Sequence, residues 1–89
     1  MAEFEILLTD EAKADLRHLS HSVRDRLLDK LEWLGSNAAL LVHQPLKGAQ
    51  WAGIFKYRVG DYRLLYKLDV ENQRLIVLKV GHRREIYKR

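Results

Sequence analysis

The feature that most constrains the fold is a pair of alternating segments joined by only two residues. Residues 54–59 and 62–70 carry apolar side chains at about every second position, which is typical of β-strands with one buried face. Gly60 and Asp61 separate these segments, and a glycine at the first central position favours a type II′ turn. The sequence therefore predicts an antiparallel hairpin whose register is fixed by its turn.

This register assigns each side chain of the hairpin to one face. Three facing pairs make one face largely apolar: Val59 with Tyr62, Tyr57 with Leu64, and Phe55 with Tyr66. We expect that face to pack beneath helices. The opposite face carries four cations with Leu65 among them: Lys56, Arg58, Arg63 and Lys67.

Two of these cations are predicted to lie directly opposite each other. Arg58 faces Arg63 in the register that the turn imposes. Like charges at facing positions repel and destabilise a hairpin. The cluster therefore suggests that an anionic ligand offsets the repulsion.

The N-terminal half of the chain is predicted to be mainly helical. Residues 3–8 resemble a strand, Thr9 is placed to cap a first helix, and Ser22 is placed to cap a second one. Gly35 is a natural helix stop. The second helix has an apolar stripe formed by Val23, Leu27, Leu31 and Leu34. We interpret residues 10–35 as a helical hairpin packed against a sheet.

The remaining segments complete a single α+β domain over residues 1–89. Residues 36–50 contain the only proline and are predicted to be a connecting loop. Residues 75–80 are predicted to be a last strand, which pairs with the strand at residues 62–70. The expected facing pairs are Leu64 with Val80, Tyr66 with Leu78, and Leu68 with Ile76. The predicted order is an N-terminal strand, a helical hairpin and a three-stranded antiparallel meander packed on the helices.

Charge is distributed unevenly between the two halves of the chain. Residues 1–46 hold five basic and eight acidic side chains, a net of −3. Residues 47–89 hold eleven basic and four acidic side chains, a net of +7. A one-sided positive field attracts polyanions such as nucleic acids.

Composition also bears on the compartment and on cofactors. The sequence has no cysteine, so disulfides and thiolate chemistry are excluded. A secreted domain of this size usually needs such cross-links, and no apolar run approaches the ~20 residues of a membrane span. The sequence therefore predicts a cytoplasmic protein without membrane contact and without a cofactor.

The C-terminal segment is predicted to bring more cations to the hairpin. The run Gly81-His82-Arg83-Arg84 should arrive at the end of the sheet that holds Arg58 and Arg63. Guanidinium groups can neutralise charge on a reacting phosphate, and a histidine or a lysine can move protons near neutral pH. Such a set could cleave a phosphodiester without a metal, and the scattered carboxylates offer no magnesium site. His18, His21 and His43 are expected to lie elsewhere.

Three stretches together resemble the RelE/ParE superfamily of bacterial toxins, and its RelE branch most. They are residues 45–48 (PLKG), 55–66 (FKYRVGDYRLLY) and 80–87 (VGHRREIY). The resemblance covers essentially the whole chain. It implies a toxin of a type II toxin–antitoxin system that enters the ribosomal A site and cleaves mRNA there. In that reaction the 2′-hydroxyl attacks the adjacent phosphate.

The resemblance also implies roles for individual residues. Lys56 and Arg58 match two basic positions on the second strand, and Arg63 matches an arginine that stabilises the transition state. Arg83 matches an arginine that stabilises charge or protonates the leaving group, and Tyr87 matches a tyrosine that stacks on an mRNA base.

The general base and the other residues that contact RNA are the remaining assignments. Either Lys56 or His82 could be the general base, and the sequence leaves that choice open. Four further cations are expected to contact RNA: Lys47, Lys67, Lys79 and Arg84. The implied partners are a cognate antitoxin, the ribosome and mRNA, with DNA contacted only through the antitoxin.

Two other functions fit the same sequence less well. A ParE-like toxin would inhibit DNA gyrase by binding it, without catalysis. It would share the turn at Tyr62 and Arg63. It has no need of the full combination that this sequence carries: Lys56, Arg58, His82, Arg83 and Tyr87. A plain RNA-binding module would use the same cations only as phosphate contacts.

Overall fold

Two helices separate a first strand from a run of four more strands in the computed structural model, which describes residues 3–82. The N-terminal elements are β1 (Glu5–Leu8), α1 (Asp10–Arg17) and α2 (His21–Asn37). The C-terminal elements are β2 (Gln44–Pro45), a 3-10 turn (Ala49–Trp51), β3 (Phe55–Val59), β4 (Tyr62–Asp69) and β5 (Arg74–His82). Neither helix is long and apolar enough to cross a membrane.

All five strands form one sheet in the order β1-β5-β4-β3-β2. The β3–β4–β5 meander is antiparallel, as predicted, and β1 pairs with β5 in parallel. β2 is a two-residue strand on the β3 edge, inside the segment that was predicted to be only a loop. The predicted α+β class and element order are confirmed.

The core lies between the helices and one face of the sheet. Leu27, Leu31 and Leu34 of α2 are almost fully buried, which confirms the predicted stripe. The sheet contributes buried side chains from three strands: Val59, Leu64, Tyr66, Leu75, Val77 and Val80. Phe55, Tyr57 and Tyr62 pack against this cluster. The predicted apolar face of the hairpin therefore does face the helices.

The predicted pairing of β4 with β5 is wrong beyond its first pair. Leu64 faces Val80 as expected, but Tyr66 faces Val77 and Leu68 faces Leu75. A β-bulge places Leu78 as an extra residue on β5 between the partners of Leu65 and Tyr66. A bulge reverses the in-out alternation on one side of it. The prediction had assumed that side chains alternate without interruption along both strands.

The N-caps of the two helices are a threonine and a serine. Thr9 Oγ1 accepts a hydrogen bond from Ala12 N at 3.1 Å, as predicted. The second cap is Ser20, whose Oγ accepts from Val23 N at 3.4 Å, and not Ser22. Ser22 lies within the first turn of α2, since the helix begins at His21.

Gly35 does not end α2, contrary to the prediction. The helix continues to Asn37, and Gly35 is buried where α2 crosses β1. A Cβ at this position would lie 2.7 Å from Phe4 O and 2.8 Å from Ile6 Cδ1. Phe4 N donates to Gly35 O at 2.9 Å. The glycine is therefore needed for close approach rather than for a turn.

α1 covers the part of the β5 edge that β1 does not reach. β1 ends opposite Val77, and beyond it Thr9 Oγ1 donates to Leu78 O at 3.1 Å. Asp15 Oδ2 accepts from Val80 N at 2.9 Å. Side chains of α1 and of its N-cap thus satisfy backbone groups that another strand would otherwise pair.

Candidate active site

The centre of the candidate site is the pair of arginines across the β3–β4 hairpin. Arg58 and Arg63 are direct cross-strand partners, as predicted. Facing Cα atoms in such a pair lie roughly 4.5–5.5 Å apart. Gly60 has a φ of 60°, as the first position of a type II′ turn requires, and its carbonyl accepts from Arg58 Nε at 3.2 Å. The turn thus helps to hold the Arg58 guanidinium.

A cleft of about 150 Å³ lies against these arginines. It is lined by Gln44, Lys56, Arg58 and Arg63. Lys56 reaches it because Lys56 pairs with Gln44 of β2 and shares a face with Arg58. Three cations and one amide therefore surround the cleft, which suits a phosphate or another multivalent oxyanion.

A larger cavity of about 290 Å³ lies next to this cleft and shares three of its residues. One wall is the segment from Leu41 to Gln44, the other is Lys56–Arg58 of β3, and Tyr66 contributes from β4. Gln44, Lys56 and Arg58 line both spaces. The larger cavity has an aromatic lining that the cationic cleft lacks.

His43 and Tyr66 form a hydrogen-bonded pair in the wall of the larger cavity. His43 Nδ1 lies 2.5 Å from Tyr66 Oη, and His43 Nε2 lies 2.9 Å from Ala38 O. A carbonyl only accepts, so Nε2 carries a hydrogen, and in the neutral imidazole Nδ1 then accepts from the Tyr66 hydroxyl. Burial, with a contribution from nearby Tyr57, raises the pKa of Tyr66 to about 12, so this hydroxyl keeps its proton.

An aromatic cluster surrounds this pair. The ring of His43 lies 5.6 Å from the rings of both Phe55 and Tyr66, and the latter two rings are 5.8 Å apart. Centroid distances of this size are typical of favourable aromatic pairs. Both ring nitrogens of His43 are engaged within the fold, so His43 serves as a wall of the cavity rather than as a base.

The structure gathers some of the predicted site residues and separates others. Lys56, Arg58 and Arg63 line one cleft. Lys67 is exposed on the same face of β4, and Lys47 is exposed in the loop after β2. Lys79 is tied to α1, since its Nζ lies 2.6 Å from Glu11 Oε2.

The comparison with known proteins agrees with this architecture. The family profile described as the ParE toxin of the parDE type II toxin–antitoxin system matches residues 6–87. The toxin RelG of Mycobacterium tuberculosis is 34% identical over 86 residues, which are 97% of this chain and 98% of RelG. The chain belongs to the RelE/ParE superfamily of type II toxins.

Solved structures of other members share the fold of this RelE/ParE toxin. The RelBE2 toxin–antitoxin complex of Mycobacterium tuberculosis has a chain that matches with a TM-score of 0.83 at 30% identity. The match covers 96% of this chain and 97% of that one. The isolated E. coli RelE toxin matches with a TM-score of 0.72 at 25% identity, over 91% of this chain and 84% of RelE.

His82 of the toxin lies on a different face from the arginines. It pairs with Tyr62, and the two rings meet edge to face with centroids 5.7 Å apart. Gly81 is the residue that faces Arg63. The segment thus reaches the predicted end of the sheet, but alternation along β5 turns His82 toward the helix side. His82 is not brought to the cleft.

Three predicted site residues of the toxin, Arg83, Arg84 and Tyr87, lie outside the described residues. Within residues 3–82, no group of three or more histidine or acidic side chains is placed to hold a metal ion.

The segment from Leu41 to Gln44 lines the larger cavity of the toxin, and the sequence patterns did not predict it. Gln44 and His43 lie in a segment predicted to be a loop, where a two-residue strand gives no periodic signal. The motif at residues 45–48, which carries part of the family resemblance, begins directly after them. It was the one sequence signal near this part of the cavity.

Proposed function

We propose that this toxin is an endoribonuclease that cleaves mRNA at the codon in the ribosomal A site. The observation that carries the proposal is the facing of Arg58 and Arg63 in a cleft that they share with Lys56. Three cations in one cleft repel each other, and a phosphodiester bound among them would relieve that repulsion. This cluster is suited to a negatively charged ligand and costs stability without one.

The proposed reaction uses only the RNA, side chains of the toxin and water. The 2′-oxygen loses its proton to a base and bonds to the adjacent phosphorus, and the bond from phosphorus to the 5′-oxygen breaks. The departing 5′-oxygen takes a proton from water or from Arg83, in the leaving-group role that the resemblance implies. The products are a cyclic phosphate and a free 5′-hydroxyl. Arg58 and Arg63 would stabilise the negative charge that builds on the phosphoryl oxygens.

Lys56 is the better of the two candidate bases in this proposal. It lines the cleft, whereas His82 packs against Tyr62 on the helix side. Arg58 cannot act as a base, because a guanidinium stays protonated in proteins. Arg83 keeps the role that the resemblance implies, which is to stabilise charge or to protonate the leaving group. Tyr87 keeps its role as the residue that stacks on a base.

We also propose a cognate antitoxin as a partner, with DNA contacted only through the antitoxin. The similar RelBE2 structure is a toxin–antitoxin complex, and this chain matches almost its full toxin length. The ribosome and mRNA would be the targets of the free toxin, which places its action in the cytoplasm. Lys47 and Lys67 are exposed and could contact ribosomal or messenger RNA.

One observation favours a second function, which is inhibition of DNA gyrase by binding. The family profile that matches the chain is named for ParE toxins. The relatives RelG and RelE carry names from the other branch of the superfamily. In a gyrase inhibitor the cationic cleft would be a protein contact without chemistry.

A primer-extension experiment separates these functions. The toxin is added to a purified translation system, and 5′ ends of the mRNA are mapped with and without ribosomes. The nuclease proposal expects new 5′-hydroxyl ends within A-site codons, lost in Arg63→Ala and in Lys56→Ala. Arg74→Ala is the matched control, since it removes one positive charge at the opposite end of β5. Intact mRNA together with inhibited supercoiling by gyrase would overturn the proposal.

A further inference from the structure

The cationic cleft has a neighbour of different chemistry, and the two share a wall. The smaller space is surrounded by cations and an amide, whereas the larger one adds the aromatic side chains of His43, Tyr57 and Tyr66. A nucleotide has the same two parts, a phosphate and an aromatic base. The adjacency of the two cavities therefore matches a nucleotide as well as a bare phosphate group.

The larger cavity has the size and the lining that a base requires. Its volume of about 290 Å³ is close to the lower end of the roughly 300–1,000 Å³ seen for small-molecule sites. Leu41 and Val42 supply apolar surface at its rim, and Val42 is 94% exposed. Unstacked RNA bases are commonly bound by aromatic side chains next to cations.

The cavity wall is held in place before any ligand arrives. His43 is fixed through both ring nitrogens, to Tyr66 and to Ala38, and its ring packs against Phe55. A wall with no free rotation loses little entropy on binding, which favours selective recognition.

Hydrogen-bonding groups that can read a base are present at the same place. Gln44 lines both cavities, and its amide offers donors and an acceptor. β2 pairs with β3 only at Phe55 and Lys56 within the described residues. Tyr57 exchanges its backbone hydrogen bonds with Leu64 of β4, so the next residue, Arg58, turns its N–H and C=O to the edge beside the cavity.

We propose that the larger cavity binds the base of the nucleotide next to the cleaved phosphate, and that Gln44 reads this base. The inference rests on the proposed RNA ligand and adds to it a position for the base and a residue that sets preference. Gln44 contacts the substrate in this scheme but takes no part in proton transfer.

The first test measures cleavage preference in the translation system described above. The wild-type toxin should prefer one base at a position flanking the cut. Gln44→Ala should reduce that preference roughly tenfold while cutting continues, because one base-reading hydrogen-bond pair is lost. Gln50→Ala, an exposed glutamine outside both cavities, should leave the preference unchanged. An unchanged preference in Gln44→Ala would overturn the inference and leave the nuclease proposal standing.

The second test does not depend on cleavage. NMR titration compares binding of nucleoside 3′-monophosphates, ribose phosphate and inorganic phosphate to the full chain. The wild type should bind at least one nucleotide about tenfold more tightly than ribose phosphate, with shifts at residues 41–44, and Gln44→Ala should lose this difference. Base-dependent binding without mRNA cutting would sink the nuclease proposal alone. Equal binding of nucleotide and ribose phosphate by the wild type would sink the base site.

A protein occupant is the remaining outcome. If Gln44→Ala weakens antitoxin binding and leaves nucleotide binding intact, the cavity is a protein contact and the inference is wrong.

Discussion

Arg58 and Arg63 face each other directly across the β3–β4 hairpin, and the cleft beside them is lined by a third cation and an amide. A carboxylate or a threonine at either position would make a more stable hairpin. A locally unfavourable pair of side chains is thus present where the cleft lies. Such conflicts between local stability and sequence are expected mainly at functional sites.

The first prediction concerns the stability of that pair. Arg63→Thr should raise the free energy of unfolding by about 0.2–1 kcal/mol at low salt, because it removes the facing repulsion. The gain should shrink as salt screens the charges of the wild type. Urea unfolding at two ionic strengths measures both effects. Lys67→Thr is the control, since Lys67 faces Ile76. An equal gain in this control would show that net charge, and not the arginine pair, is responsible.

The second prediction concerns the His43–Tyr66 hydrogen bond. His43→Phe keeps a ring but leaves the Tyr66 hydroxyl and Ala38 O without their partner. We expect a loss of about 1–3 kcal/mol in the free energy of unfolding. Adding Tyr66→Phe should recover part of this loss, because a buried hydroxyl without a partner is then removed. Purely additive losses in a double-mutant cycle of chemical unfolding would contradict a direct interaction.

The third prediction is an alkaline loss of stability. The pKa of Tyr66 is raised to about 12 in the folded state, whereas an unfolded tyrosine titrates near 10. As the pH rises, the unfolded chain therefore loses this proton first. Stability should be unaffected by Tyr66 below about pH 10 and should fall up to about pH 12. The slope should be less than about 1.4 kcal/mol per pH unit, since the folded and unfolded chains differ by less than one Tyr66 proton at any pH.

Tyr66→Phe provides the control for that experiment. It should flatten the alkaline fall in urea midpoints, and it should remove the tyrosine that ionises at the highest pH in an absorbance titration. A wild-type titration in which every tyrosine ionises near pH 10 would refute the prediction.

The fourth prediction concerns Gly35. In an ordinary helix interior, glycine to alanine stabilises by roughly 0.5–1 kcal/mol. Here the added Cβ would lie 2.7 Å from Phe4 O, so Gly35→Ala should destabilise the fold by about 1–3 kcal/mol. Ser36→Ala, an exposed neighbour in α2, should change thermal stability little. A stabilised Gly35→Ala variant would show that β1 and α2 are not packed as described.

The hairpin and its cationic face could be predicted from the sequence because a two-residue turn leaves one register. Arg58 and Arg63 follow from the positions of Gly60 and Asp61 alone. The bulge at Leu78 could not be predicted, since nothing in a run of Leu, Ile and Val marks an extra residue. The error in the β4–β5 register follows from that one residue.

Other features depended on contacts that are distant in sequence. A glycine near a predicted helix end usually marks a stop. Only the close packing of α2 on β1 shows that Gly35 is needed for that approach. In the sequence His43 is a single histidine in a predicted loop. Its role depends on the hydrogen bond to Tyr66, which lies 23 residues later in the chain. His82 was placed correctly at an end of the sheet but not on a face, because the prediction did not continue the alternation of β5 to its last residue.

The strand order has a consequence for the synthesis of the toxin. β5 is the last described strand along the chain, yet it lies between β1 and β4. Until it emerges from the ribosome, β1 lacks the strand with which it pairs, and the helices lack the buried side chains of Leu75, Val77 and Val80. Non-local strand pairing of this kind is slow to form. A nascent chain arrested before residue 74 should therefore remain protease-sensitive, which would keep the toxin inert while its own ribosome is still translating it.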